Sequence, residues 1–433
     1  MVKLKRLKID KFRNVAPGTE LHFRDSLNVL LGKNGTGKTT LLNLITAVLG
    51  GEFDAFRDEA FGLEYELAVP QGCLTVRLRN QLMGSGFPPQ SPEAPAFGRR
   101  TQYSASCEMR FHLAHGDGKY RVRVDGRDCV LQEEGNNQEL RASLGAALLE
   151  GALTAEVGSW LWNLSMQNDA LKGLREIVSL LVETSIYLKC WVQRFDESLA
   201  FLEQLTHSKD LFIAERTEGK VQVLLGQGVA NSIQQKLGQE LEAKPATDHL
   251  VLRDSDAGME FLSRAVRLMG FASGEVRLQR TAREPFPHEQ LDFGDLQFYF
   301  VRRDGSEIDG SRLSYGQKRL LSFYYYLDCS SVCAIADELV NGMHHEWIEA
   351  CLADLGERQA FLTSQNPLLL DYLGFESAEE VRSSFVLCRS QFEGEREQLH
   401  WENMTPEDAE GFFAAYQVGI QHVSEILRTR GLW

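Results

Sequence analysis

Gly32-Lys33-Asn34-Gly35-Thr36-Gly37-Lys38-Thr39 is the stretch whose reading decides the fold. It fits the pattern G-x-x-x-x-G-K-[ST] of a phosphate-binding loop. Before it, Leu27-Asn28-Val29-Leu30-Leu31 reads as a buried strand. After it, Leu41, Leu42, Leu44, Ile45, Val48 and Leu49 recur at helical spacing. A bare glycine-rich turn does not account for these flanks. Strand, glycine loop and helix together predict a cradle of backbone N–H groups at a helix N-terminus, where an anion is stabilised. The expected nucleotide-binding set is Gly32, Lys33, Asn34, Gly35, Thr36, Gly37, Lys38, Thr39 and Thr40. Lys38 is expected to reach the β- and γ-phosphates, and Thr39 to place its hydroxyl on Mg²⁺.

The rest of the chain has to serve that loop. Its 433 residues allow about three domains and a sizeable core. Lys and Arg number 46 and Asp and Glu 61, a net charge of −15, which excludes a chain coated for nucleic acid but leaves room for a local basic strip. The first fourteen residues hold one: Lys3, Lys5, Arg6, Lys8, Lys11 and Arg13 against Asp10 alone. It reads either as an edge strand kept soluble by lysine or as a DNA-facing strip. Eight scattered cysteines form no C-x-x-C pair, so reduced thiols in a cytoplasmic protein are expected. The N-terminus has no apolar signal core, and no long apolar run predicts a membrane span.

Along the chain, residues 2–12, 19–24 and 27–31 read as strands, and Gly50-Gly51 stops the helix after the loop. From 61 to 132 the pattern alternates, as in 64–69, 73–78, 107–113 and 120–124, and predicts antiparallel strands. A proline-rich segment, 84–98, separates the second from the third. From about 138 to 212 the spacing is helical, without sustained heptads, and a polar stretch at 219–247 ends in Lys244-Pro245. Asp254-Ser255-Asp256 is expected to cap the helix carrying Phe261, Leu262, Ala265, Val266 and Met269, a metal pair being the alternative. Near the end, Phe385-Val386-Leu387-Cys388 reads as a strand. Thr405-Pro406 opens one last helix whose apolar face runs from Phe412 through Ile420 to Leu427.

Three downstream motifs carry polar chemistry. Leu313-Ser314-Tyr315-Gly316-Gln317-Lys318 opens a helix, so Ser314 and Gly316 can present a hydroxyl and backbone N–H groups to an anion. Val332-Cys333-Ala334-Ile335-Ala336-Asp337-Glu338 is an apolar strand that delivers two carboxylates at its C-terminal edge, where α/β sheets bind ligands. Asp337 is expected to hold Mg²⁺ through water, and Glu338 to take a proton from an attacking water. Ala360-Phe361-Leu362-Thr363-Ser364-Gln365 is a second apolar strand ending in small polar groups, suited to sensing a γ-phosphate.

In this order the motifs resemble those of ATP-binding-cassette ATPases of the SMC, RecF and OLD type. Lys8-Ile9-Asp10-Lys11-Phe12-Arg13-Asn14 resembles their opening strand, and Leu313 to Lys318 their LSGGQ-like signature. Asp337-Glu338-Leu339-Val340-Asn341-Gly342-Met343-His344 resembles the DE-x-x-NGLH run of compact members. The resemblance covers about 1–130 and 250–375. It implies an α/β, ABC-type P-loop ATPase head with an antiparallel β subdomain and a compact helical insertion. The expected division is lobe I at 1–137, the insertion at 138–247 and lobe II at 248–433.

It also implies an ATP-sandwich homodimer using ATP and Mg²⁺. Ser314 and Gly316 would act in trans on the γ-phosphate, Asn341 would sit in the dimer-crossing loop, and Glu338 and Gln365 would be catalytic. Gln365 stands where the family usually has histidine; glutamine donates a hydrogen bond but gains no charge near neutral pH, so slow turnover is expected. Gln167 is a candidate for the glutamine that the family places between its lobes. Zinc-hook cysteines are absent, and about 66 residues follow Pro367, short for the nuclease domain of OLD-type proteins. The chain resembles most the compact ATPases of Septu, PARIS and retron-associated anti-phage systems, a resemblance that the compact insertion and acidic charge favour. The expected role is a regulatory subunit controlling a separately encoded effector nuclease or toxin. The alternative is a RecF-like repair or maintenance ATPase on duplex DNA. A membrane-transporter ATPase fits less well, because its motifs lie closer together.

Overall fold

The computed structural model describes residues 2–70, 72–82, 103–114, 119–134, 139–143, 153–167, 171, 174–179, 195, 205–209, 211–217, 220–224, 230–244, 247–284, 289–330, 332–364 and 366–432. The chain packs as two compact units, 1–186 with 375–433, and 187–374. The first joins both chain ends. These divisions fall elsewhere than the expected 137/138 and 247/248.

In the first unit, strands β1 (Lys3–Phe12), β2 (Thr19–His22), β4 (Phe61–Val69), β5 (Gly72–Leu82), β6 (Tyr103–Leu113), β7 (Lys119–Asp125), β8 (Asp128–Glu133) and β9 (Glu139–Ser143) form one antiparallel sheet. Its order is β2-β1-β4-β5-β6-β7-β8-β9. Alternation decides which face is buried: Phe61, Leu63, Tyr65 and Leu67 of β4 meet Leu74, Val76 and Leu78 of β5 on the apolar side. β1 shifts the parity of its apolar residues, Leu4 and then Leu7, Ile9 and then Phe12, yet buries all four. Register shifts at Leu4/Arg6 and Ile9/Lys11 explain this, because each irregularity inserts a residue and turns the strand over.

β1 is thus an interior strand, which corrects its reading as an edge. Its cations are matched from neighbouring segments. Arg6 hydrogen-bonds Glu64 and holds that carboxyl below the usual range, with Arg77 adding to the effect. Arg13 forks onto Glu59 at 2.8 and 2.7 Å, and Lys5 pairs with Asp25. Lys8 lies opposite Glu20 and Glu64 in the register.

β3 (Leu27–Leu31) runs parallel to β18 (Phe385–Glu393), which turns at Gly394 (φ 68°) into antiparallel β19 (Arg396–Asn403). The C-terminal helix expected in one piece is two, Pro406–Val418 and Val423–Thr429. Gly419 stops the first in the left-handed conformation, and Ile420 stands 82% exposed, outside the apolar face assigned to it. Phe412 and Tyr416 pack with Phe375 and Phe385.

In the second unit, β10 (Phe212–Thr217), β11 (Lys220–Leu224), β12 (His249–Arg253), β13 (Ser273–Glu284) and β14 (Glu289–Val301) form an antiparallel sheet in the order β11-β10-β14-β13-β12, with β15 (Glu307–Asp309) on β14. The expected helical insertion, 138–247, therefore contributes strands β9, β10 and β11 besides the helices Leu153–Gln167 and Asn231–Ala243. The polar stretch near 231–243 is helical because Ile233, Leu237 and Leu241 recur along one buried stripe. Asp254 and Asp256 do not cap the next helix, whose N-cap is Met259; they accept the N–H groups of Gly274 and Arg253. The loop at 84–98 and the helical positions at 180–194 lie outside the described residues.

β16 (Cys333–Ala336) and β17 (Gln359–Thr363) are parallel and fully buried, beside the helix Tyr315–Cys329. That helix buries three consecutive tyrosines by giving each hydroxyl a partner. Ile335 N–H donates to the Tyr326 hydroxyl at 2.8 Å, Ala230 N–H to that of Tyr325 at 3.2 Å, and the Tyr324 hydroxyl donates to Asp354 at 2.6 Å. Among the described residues no helix is long and apolar enough to cross a membrane, and none of the seven described cysteines forms a disulfide.

Removing the hydroxyl in Tyr326→Phe leaves the buried Ile335 N–H without its acceptor. It is expected to cost about 1–3 kcal/mol of stability, read as a lower urea midpoint at unchanged slope. An unchanged midpoint would show that the N–H finds another partner.

Candidate phosphate and carboxylate sites

The first unit supplies the phosphate loop. β3 ends at Leu31, and the loop enters the helix Lys38–Gly50, whose N-cap is Gly37 in the left-handed conformation (φ 81°) without a side-chain cap. A capping side chain there would occupy the anion's place. The loop is fastened through its carbonyls. Lys38 Nζ donates to Gly32 O at 2.8 Å and Lys33 O at 3.1 Å. Thr36 Oγ1 donates to Lys33 O at 2.8 Å, and the Trp401 indole N–H to Thr36 O at 3.0 Å. Lys38 is 7% exposed, so its ammonium stays over the loop instead of in solvent.

Two glycines are required by close approach. A Cβ on Gly32 would stand 2.2 Å from Cys388 O, and one on Gly37 2.7 Å from Leu399 and 3.0 Å from Trp401. Burial pushes the Cys388 thiol up to about 12, so it stays a neutral packing group beside the loop. Trp401 and Leu399 on β19 thus buttress the loop from behind. Sequence reading missed both, since nothing local marks them. Thr39 is exposed and Thr40 partly so, both in the first helical turn.

The second unit gathers the downstream motifs. Ser314 caps the helix Tyr315–Cys329 in a capping box: Ser314 Oγ accepts Gln317 N–H at 3.3 Å, and Gln317 Oε1 accepts Ser314 N–H at 3.0 Å. Ser314 is exposed, and its hydroxyl hydrogen is left to donate outward. A Cβ on Gly316 would stand 2.4 Å from Gly342 O, so glycine lets this helix end meet the Asn341–Gly342 turn. Gly342 is left-handed (φ 75°), and its own Cβ would meet the Tyr315 ring.

Asp337 and Glu338 follow β16 as expected. Thr363 Oγ1 donates to Asp337 Oδ1 at 2.5 Å and accepts Glu338 N–H at 2.9 Å. Thr363, at the end of β17, is one of the small polar groups that the sequence placed at a strand end suited to sensing a γ-phosphate, and its link to the two acids was not foreseen. Phe195 lies alongside β16: its N–H donates to Ile335 O at 2.9 Å, and its carbonyl accepts Asp337 N–H at 2.8 Å. Glu338 holds a left-handed backbone (φ 53°), sparsely populated for glutamate, and is 7% exposed. Its carbonyl accepts Arg319 Nη2 at 2.6 Å, and Asn341 N–H at 3.4 Å.

Ser314, Gly316, Asp337, Glu338 and Asn341 are therefore brought together in one unit, and the loop residues 32–40 lie in the other. Gln365 lies outside the described residues. Gln167 is exposed at the end of the helix Leu153–Gln167. The donor sets fit the expected groups: a buried ammonium over glycine-cradled backbone suits phosphate, and the Thr39 hydroxyl in the first unit and the Asp337 carboxylate in the second are each, taken separately, hard oxygens of the kind that Mg²⁺ takes. No group of three His, Cys, Asp or Glu forms a metal cluster among the described residues.

Residues 6–143 match a family model described as an AAA domain. This stretch carries the glycine loop and the antiparallel sheet, and the chain's fold is α/β. A stretch of 46 residues, 11% of this chain, is 48% identical to the DNA double-strand break repair Rad50 ATPase of Methanopyrus kandleri and spans 5% of that protein's length. Among solved structures, the SMC head bound to the C-winged helix domain of ScpA is 12% identical with a TM-score of 0.41, over 93% of this chain and 98% of that one. The SMC head domain from Thermotoga maritima is 12% identical with a TM-score of 0.36, over 92% and 98%. The recombination mediator protein RecF-ATPrS is 14% identical with a TM-score of 0.26, over 84% and 93%. None of these scores assigns this chain a partner or a substrate.

In Gly37→Ala, left-handed strain of about 1–2 kcal/mol adds to the contacts with Leu399 and Trp401. Nucleotide affinity is expected to fall about tenfold or more, measured by titration with a fluorescent ATP analogue. Wild-type affinity would show that the loop tolerates another path behind Gly37.

Proposed function

We propose that this chain is an ATP-binding and ATP-hydrolysing SMC-like ATPase that serves as the regulatory or sensor subunit of a bacterial anti-phage defence complex. It controls a separately encoded effector nuclease or toxin through ATP-dependent assembly. The observation that carries the ATPase reading is the pair of preformed polar sets: Lys38 fastened over the glycine loop, and Asp337 with Glu338 fixed by Thr363.

The roles follow the chemistry of phosphoryl transfer. The loop N–H groups and Lys38 bind and orient the β- and γ-phosphates of ATP. The Thr39 hydroxyl and the Asp337 carboxylate would hold Mg²⁺, which would supply neutralisation of charge on the phosphate oxygens. Glu338 accepts the proton of the attacking water. Gln365 donates a hydrogen bond to the γ-phosphate without gaining charge, which suits a slow switch. In an ATP-sandwich homodimer Ser314 and Gly316 act in trans, with Asn341 in the crossing loop.

The regulatory reading is supported by the net charge of −15 and by the pairing of Lys5, Arg6 and Arg13 with carboxylates of the same unit, which lowers their pull on phosphodiesters. The Rad50 likeness over 46 residues favours a second reading, a repair or maintenance ATPase on duplex DNA.

Lys38→Ala is expected to lose ATP binding, and Glu338→Gln to bind ATP while hydrolysing it at least about a hundredfold more slowly. Full ATP affinity in Lys38→Ala would defeat the assignment. Tagged Glu338→Gln protein purified from its native cells should bring a stoichiometric effector. Recovery of chromosomal DNA and repair proteins instead, with duplex affinity that falls steeply with salt, would establish the second reading.

A further inference from the structure

Arg319 is fully buried, the largest side chain so placed among the described residues. It projects from the second turn of the helix that Ser314 opens. Its Nη2 donates to Glu338 O at 2.6 Å and to Leu339 O at 3.0 Å. Its guanidinium carbon lies 4.8 Å from the centre of the Phe195 ring and 5.9 Å from that of Tyr315. Phe195 is the residue whose backbone bridges Ile335 and Asp337. One cation therefore touches the opening turn of the signature helix, the segment alongside β16, and the carbonyl of a strained glutamate.

Burying a guanidinium against carbonyls and ring faces is expensive unless the geometry is held, and a methionine would fill much of the same volume without that cost. Glu338 supplies a reason for the cation. A left-handed glutamate costs about 1–3 kcal/mol and persists only where its surroundings over-determine it. Thr363 holds its N–H from β17, and Arg319 holds its carbonyl from the helix. Together they fix the peptide planes on either side, and hence the direction in which the side chain leaves the backbone.

We infer that Arg319 is a positioning residue that ties the Ser314 helix to the backbone of Glu338, so that the state of the helix opening sets where the glutamate carboxylate points. The inference rests on the proposed ATPase reading and deepens it. Arg319 joins the two through Nη2, which donates to Glu338 O and Leu339 O, so a shift of the helix opening is passed to the Glu338 backbone. Arg319 is fully buried and acts on that backbone, so it governs turnover and leaves binding alone.

The test is steady-state hydrolysis and equilibrium ATP binding on the full chain for Arg319→Lys and Arg319→Met, each also in the Glu338→Gln background, with thermal unfolding recorded for all. Arg319→Lys keeps a charge and a donor but loses the fork. It is expected to lower kcat about tenfold with KM within about twofold, and Arg319→Met to lower kcat further, the scale of a misplaced catalytic group. In the Glu338→Gln background neither change should slow turnover again. Phe195→Leu, which keeps the cation and removes its ring face, should give a smaller loss confined to kcat.

Unchanged kcat in Arg319→Lys, a loss in KM with kcat retained, or a further loss in the Glu338→Gln background would each overturn the inference. Should Arg319→Met fail to fold, the lysine and Phe195 variants still decide it. A wild-type chain that binds ATP without turning it over would overturn the ATPase reading and this inference with it. Wild-type turnover that ignores Arg319 would overturn this inference alone.

Discussion

A loop that binds phosphate through its backbone donors cannot be anchored through those same donors, and the first unit is arranged around that constraint. Side chains hold the loop by its acceptors: Gly32 O and Lys33 O take the Lys38 ammonium, Lys33 O also takes the Thr36 hydroxyl, and Thr36 O takes the Trp401 indole, while of the backbone donors Thr36 N–H turns inward to Lys33 O. An anchorage of this kind suits a ligand that needs donors. It also explains why the chain returns β18 and β19 to the loop after so long an excursion. β18 pairs with β3 and fixes where the loop begins; β19 supplies Leu399 and Trp401, which meet Gly37 where it ends. The glycines then answer contact as much as conformation, since the backbone of Cys388 and the ring of Trp401 stand where side chains would be.

The second unit solves the converse problem. A buried carboxylate at a strand end has to be held in direction. Glu338 is held at its backbone, through Thr363 at the N–H and Arg319 at the carbonyl. Asp337 is treated differently, its Oδ1 taking the Thr363 hydroxyl directly. One threonine thereby engages two neighbouring acids differently, the first at a carboxylate oxygen and the second at its backbone N–H. The buried tyrosines behind them, each with its hydroxyl satisfied, make the rigid wall that such fixing requires.

What could be read in the sequence was whatever is written locally. The loop, the strand before it and the helix after it lie within 24 residues, and alternation marks β4 to β7 plainly. Asp337-Glu338 and the Ser314 cap also carry short patterns, and both stand where expected. Trp401 was not legible because its partner lies 365 residues away, and β19 sets its two buried residues among charged ones. Thr363 has an ordinary strand-end sequence, and its meaning comes from a hydrogen bond 26 residues back. Arg319 follows Lys318 on a helix and reads as solvated until the fold encloses it. At Gly419 an apolar pattern outweighed one glycine, and the left-handed cap broke the helix that the pattern implied.

The opening strand shows why local charge is a poor guide to a partner. Six cations in fourteen residues look like a phosphate-binding strip when counted along the chain. In the sheet the strand is interior, and the residues beside it include Glu20, Glu64 and Glu59, with Asp25 just beyond β2. A guanidinium already forked onto a carboxylate gains little by exchanging it for a phosphate, because the carboxylate left behind loses its partner. Lys3, Lys8 and Lys11 add three charges at most, too few for the steep salt dependence that many phosphate contacts produce. The same arginines do have a use within the fold: they hold β1 to β4 and to the turn before β4, on the polar face opposite the core. That use of charge inside the sheet, more than any partner, accounts for the cations of the opening strand.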